Sequence, residues 1–148
     1  MVDKAIARGL SRNGRFARAS CLNNLRQLGL AWILYANEND NKIMYANTHY
    51  QNAWVQWEPD YDEEEKIQSI LDGAMYPYCP NLKLYKCPRG VKGEVVTYCI
   101  FDYMNGHDEI PDATLAPLTK MSQIRGASSQ LVFLDARPRD NLRFCRWT

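Results

Sequence analysis

No run of about 18 apolar residues occurs anywhere in the 148, so the sequence contains no helix suited to crossing a bilayer. Asp3 and Lys4 charge the first residues, which leaves no apolar signal region among them. Neither sign of charge dominates. A net charge of +1 sets up no global field toward nucleic acid or an anionic membrane. Histidine is scarce, with only His49 and His107. There is no G-x-S-x-G, G-x-x-x-x-G-K-[ST], G-x-G-x-x-G or H-E-x-x-H motif, and neither histidine has an acidic partner at a characteristic spacing. These absences point to a protein that is not an enzyme. The chain is nevertheless not a disordered one: 46% hydrophobic and 24% charged residues suit a packed core.

Proline is missing before Pro59, and the region ahead of it reads as one long helix over residues 3–38. Cys21, Leu25, Leu28, Trp32 and Tyr35 recur at helical spacing, with Leu22, Gly29, Ile33 and Ala36 widening the stripe. Such a helix would be roughly 50 Å long at ~1.5 Å per residue. Its first half is thinly apolar and carries Lys4, Arg8, Arg12, Arg15, Arg18 and Arg26 against one acid, Asp3. The expectation is that the second half docks on a core through Leu25, Leu28, Trp32 and Tyr35, while the first half projects as a solvated stalk. The bases spread around the helix, so no nucleic-acid partner is expected. Asn37, Asn39, Asp40 and Asn41 then end the helix, because short polar side chains compete for backbone hydrogen bonds.

Residues 39–94 form a variable region rich in aromatics and acids. Tyr45, Tyr50, Trp54, Trp57, Tyr61, Tyr76 and Tyr78 either line a core seam or expose rings that stack on a ligand such as a glycan. Glu58, Asp60, Asp62, Glu63, Glu64 and Glu65 make an acidic run, followed by a short helix over residues 66–72 and a stop at Gly73. Leu82–Lys86 alternates like a short strand. Residues 95–148 carry the sheet: Val95–Phe101 is the best strand, Asn105-Gly106 a turn, Leu131–Asp135 a second strand and Asn141–Trp147 a third. The expected fold over 1–148 is α+β, with a long N-terminal helix packed on a small antiparallel sheet.

Five cysteines leave at least one unpaired within the chain. Cys79 and Cys87, in a Cys-x7-Cys pattern with proline after each, are either a local loop disulfide or buried thiols. The rival reading as a redox or hydrolytic pair requires a thiol with a depressed pKa. No cysteine spacing matches a zinc knuckle. The loop 102–112 offers Asp102, Asn105, Asp108, Glu109 and Asp112 as oxygen ligands for calcium, but not at the spacing of a twelve-residue calcium loop. No resident cofactor is therefore expected.

From Arg15 to Ile43 the chain reads RFARASCLNNLRQLGLAWILYANENDNKI. Ala17, Arg18, Cys21, Asn24, Leu25, Arg26, Gln27, Leu28, Gly29, Tyr35, Asn39 and Asp40 form a pattern that resembles the helix of pseudopilins, the pilin-like proteins of type II secretion and type IV pilus-like systems. The resemblance continues in Leu84-Tyr85-Lys86-Cys87-Pro88, in Thr97–Gly106, and in Met121–Asp135, where Ala127 stands at a proline position. The group's Gly-Phe-Thr-Leu-Ile-Glu peptidase site and C-terminal His-x9-Asp-Gly signature are not in these residues.

The resemblance implies a pilin-like head that works by assembly with other pilin-like subunits and with secretion-machinery proteins. It implies a periplasmic or cell-surface location, with an inner-membrane anchor preceding these residues in the native precursor. On that reading Arg8, Arg12, Arg15 and Arg18 pair between subunits with Asp62, Glu63, Glu64 and Glu65, since head-to-tail contacts between opposite patches build open filaments. The alternative is a surface ligand- or glycan-binding module using Trp54 and Trp57.

Overall fold

The computed structural model describes residues 2–56, 61–101, 103–106, 117–126, 132–135 and 144–145, with side chains from residue 14 onward and backbone alone at 144–145. Helix α1 runs Val2–Glu38 without a break. Its end is built as expected from short polar residues. Asn39 Nδ2 donates to the Tyr35 carbonyl at 2.8 Å, and the Asn41 amide donates to the Ala36 carbonyl at 2.9 Å. Asp40 and Asn41 turn the chain away with φ of 54° and 62°, the left-handed conformation that Asn and Asp adopt more readily than other non-glycine residues.

Helix α2 spans Glu63–Leu71 and starts earlier than the sequence suggests. Asp62 is its N-cap. The Glu65 amide donates to Asp62 Oδ1 at 2.9 Å, and the Asp62 amide donates to Glu65 Oε2 at 2.8 Å, a reciprocal capping box. Gly73, just past the helix, sits against the backbone of the loop before it. A Cβ there would collide with the Trp54 carbonyl and lie 2.8 Å from Val55 Cα.

The sheet has three short strands: β1 (Tyr98–Phe101), β2 (Phe133–Asp135) and β3 (Phe144–Cys145), in the order β2-β1-β3. β1 and β2 are antiparallel, with Tyr98 opposite Asp135 and Ile100 opposite Phe133. β3 joins the other edge of β1 in parallel, Ile100 opposite Phe144. The α+β layout with a long helix on a small antiparallel pair is therefore present, and the third strand adds a parallel edge. Leu82–Tyr85 is not a strand but a 3-10 turn. Asn81 caps it by accepting from the Lys83 amide, and the buried Tyr85 carbonyl accepts from the Thr97 amide at 3.0 Å.

α1 lies against β2 and against two 3-10 turns, Tyr76–Tyr78 and Leu82–Tyr85. Between them sits one hydrophobic cluster. Leu28, Trp32 and Ala36 enter it from the helix, Ile70 from α2, Ile100 and Phe133 from the sheet. Residues 43–55 contribute as much as the sheet does: Ile43, Met44, Ala46, Trp54 and Val55 are all buried. Trp54 stacks on Tyr85 at 6.3 Å between ring centres and meets Phe133 edge-on at 5.7 Å, both favourable arrangements for aromatic rings.

Candidate assembly surface

Of the predicted docking residues, Leu28 and Trp32 are buried, while Leu25 and Tyr35 are partly buried against the core. Tyr35 packs edge-on against Tyr78 at 5.8 Å, and the Tyr78 hydroxyl donates to Glu38 Oε2 at 2.9 Å. Two residues that the periodicity alone did not single out as anchors fix the helix more specifically. Asn24 is buried, and its Nδ2 donates to the Lys86 carbonyl at 3.0 Å and to the Lys83 carbonyl at 3.4 Å. Cys21, one turn earlier, is bonded to Cys87. The side chains of Cys21 and Asn24 thus grip the turn leading into Cys87-Pro88. In the sequence, the periodicity marked Cys21 as part of the stripe, and the pseudopilin-like pattern marked Cys21, Asn24 and Cys87 without joining them.

The Cys21–Cys87 bond corrects the expected local pair. Cys79 is not joined to Cys87; it is a free, buried thiol. The reason is spatial. The stripe that docks α1 places Cys21 beside residue 87, across a sequence separation of 66 that no local spacing reveals. Burial pushes the Cys79 thiol up, opposite to the direction an activated nucleophile needs. A Cys79/Cys87 redox pair is therefore not assembled. Cys99 is also disulfide-bonded.

The opposite side of α1 also carries large apolar side chains. Phe16 is 72% exposed, Leu22 58%, Leu30 53% and Leu34 50%, with Ile33 at 41%. At about 100° per residue these side chains cluster roughly half a turn away from Leu28, Trp32 and Cys21. Leu22 and Ile33 were expected to widen the buried stripe; they instead belong to this outer one. Arg15, Asn23 and Arg26 are exposed on that same side, so the outward face is mixed, with large apolar side chains set among polar ones.

The charge patches fall unevenly. Arg15 and Arg18 are exposed on α1, while the side chains of Arg8 and Arg12 lie outside the described residues. Asp62, Glu63, Glu64 and Glu65 are all exposed, but they are a helix start and not a free loop. Acids at an N-terminus are stabilised by the helix dipole, and Asp62 and Glu65 are further engaged in the capping box. Only Glu63 and Glu64 remain without an assigned local hydrogen-bonding role.

The proposed ligand surface is not formed as expected. Trp54 is fully buried at the centre of the core, because its ring supplies the packing between Tyr85 and Phe133. Trp57 lies outside the described residues. Tyr45 and Tyr50 stack on each other at 4.7 Å.

As for metals, His49 is exposed, and His107 and most of the 102–112 loop lie outside the described residues. Within that loop, Asn105 Nδ2 donates to the Ile43 carbonyl at 2.9 Å, so its side chain ties the loop to the core. Among the described residues one group has ligand-type atoms close together: the two sulfurs of Cys21 and Cys87 and a carboxylate oxygen of Asp135, all within 4.8 Å. With the sulfurs bonded to each other they are not thiolate ligands. Burial raises the Asp135 carboxyl above the ordinary carboxylate range. No helix among the described residues is long and apolar enough to cross a membrane. The chain matches no family model, no curated protein and no solved structure.

Proposed function

We propose that the chain is the head of a pseudopilin-like subunit that acts without catalysis, by assembling into a filament of a type II secretion or type IV pilus-like system. The observation that carries this reading is the outer stripe of α1. A helix already docked by one apolar face exposes a second one, from Phe16 through Leu22 and Leu30 to Leu34. Large apolar side chains gathered on one exposed helix face are what a protein contact uses. The resemblance of residues 15–43 to the pseudopilin helix names the contact as subunit packing. Two further features support it: the motif residues Cys21 and Asn24 engage the motif segment 84–88, and the motif residues Asn39 and Asp40 terminate the helix.

On this reading the partners are other pilin-like subunits and secretion-machinery proteins, and the location is periplasmic or cell-surface with an inner-membrane anchor in the native precursor. The exposed bases Arg15 and Arg18 and the acids Glu63 and Glu64 set the register between subunits. The test is sedimentation and electron microscopy of the protein over a rising concentration series at low and high salt. Open-ended oligomers that shorten as salt rises are the expected result. A monomer at every concentration, or a closed dimer, contradicts the proposal.

A further inference from the structure

The Cys21–Cys87 disulfide lies at the wall of an open cleft of about 540 Å³. The cleft is lined by Arg18 from α1, by Arg89, Gly90 and Val91 from the turn after Cys87, and by Asp135 from β2. The two cysteines are not equally buried. Cys21 keeps 9% of its surface exposed and Cys87 only 1%. Among the described residues, the charged side chains lining the cleft are Arg18, Arg89 and Asp135, which makes this lining positive on balance. Tyr98 on β1, opposite Asp135, donates its hydroxyl to the Cys21 carbonyl at 3.5 Å and is neutral at ordinary pH.

We propose that this cleft is a thiol–disulfide exchange site, in which Cys21–Cys87 is the reacting bond and a small anionic thiol is the co-substrate. The positive cleft draws in the thiolate, which attacks Sγ of Cys21, the less deeply buried of the two cysteines, and forms a mixed disulfide. The Cys21–Cys87 bond breaks, and Cys87 Sγ leaves as a thiolate that takes a proton from water in the cleft. A second thiolate attacks the external sulfur of the mixed disulfide and releases Cys21 as a thiolate, which is protonated in turn. Two thiols are oxidised to one external disulfide, and the protein disulfide is reduced to two thiols by the same two electrons. The reduced protein keeps Asn24 and the apolar face as its hold on the helix and loses the covalent one. The proposal does not depend on filament assembly. Cys79 takes no part, since it does not line the cleft.

The test uses the folded protein and three thiols that differ in charge: mercaptoacetate, 2-mercaptoethanol and cysteamine. Reactions are quenched by alkylation, and labelled cysteines are located by mass spectrometry. The expected result is labelling of Cys21 and Cys87 while Cys99 stays oxidised. Compared at equal thiolate concentration, mercaptoacetate reacts several-fold faster than cysteamine. Arg18→Gln with Arg89→Gln removes that preference, and Asp135→Asn enlarges it. Circular dichroism of each variant confirms that the fold is kept. Labelling of Cys21 and Cys87 only together with Cys99, as global unfolding would give, overturns the proposal. So does a charge preference that the arginine and Asp135 variants leave unchanged.

Discussion

On one side of α1, Leu28 and Trp32 are closed off from water by β2 and by the turns before Cys87; on the other, Leu30 and Leu34, two residues further along in each case, stand half exposed. The side chains are chemically alike. What differs is the company they keep. The inner face carries Cys21 and Asn24, which bond to a specific distant turn, whereas the outer side chains stay exposed, Leu30 and Leu34 meeting residues 78–84 only across an open groove. Hydrophobic side chains supply the drive to be covered, and polar or covalent anchors on the same face decide which cover is its own.

The largest expected effect tests the inner face. Trp32→Ala should destabilise the fold by about 3–5 kcal/mol, the range for emptying a buried aromatic site, while Leu34→Ala should stay within ~0.5 kcal/mol. Equal urea midpoints for the two would erase the distinction between the faces. Replacing Cys21 and Cys87 together by Ser comes next. Closing a loop across 66 residues is worth about 4 kcal/mol on the chain-entropy estimate, so the melting temperature should drop by about 10–15 °C. A variant as stable as the parent would show that Asn24 and the apolar stripe hold the helix unaided.

Alkaline pH offers a gentler probe of the same face. Burial pushes Tyr98 up to about 12 and raises Tyr85 further in the same direction. A raised folded-state value means the neutral ring is what the fold stabilises. Its contribution is complete below the unfolded value near 10 and is lost as pH climbs from 10 through 12. Denaturation midpoints should therefore hold steady up to about pH 10 and fall as pH rises from 10 to 12. A flat profile would mean that both hydroxyls are better solvated than their positions indicate. The smallest effect belongs to α2: Asp62→Ala breaks the capping box and should cost about 1 kcal/mol, whereas Glu63→Lys should cost only a few tenths. This difference makes Glu63 and Glu64 the acids to reverse when charge pairing is tested, since reversing Glu65 would also unpick the helix start.

The helix and its stop were legible in the sequence because the signals are local and repeated. Apolar residues recur over many turns, no proline interrupts, and Asn39 and Asp40 close the last turn. The strands were legible in place, though β1 and β2 are shorter than their hydrophobic runs. Leu82–Lys86 misled because alternation in so short a run does not distinguish a strand from a 3-10 turn capped by Asn81. Trp54 misled for a related reason. An aromatic in an irregular stretch has no period to mark its face, and only the meeting of Tyr85 and Phe133 around it shows that it is core. The partner of Cys87 was illegible because disulfide connectivity follows from which distant segments the fold brings together. The outer stripe did leave a trace. Leu30, Ile33 and Leu34 make residues 28–36 apolar nearly all round, more than a single docked face requires.

The central claim is that the outer stripe of α1 is a contact surface and not a tolerated exposure. Its most direct test is the Leu30→Asp, Leu34→Asp double variant, followed by sedimentation velocity across a concentration series and by thermal melting. The account predicts a melting temperature within a few degrees of the parent's and an assembly that collapses to monomer. Assembly that survives both aspartates in a folded protein would contradict it.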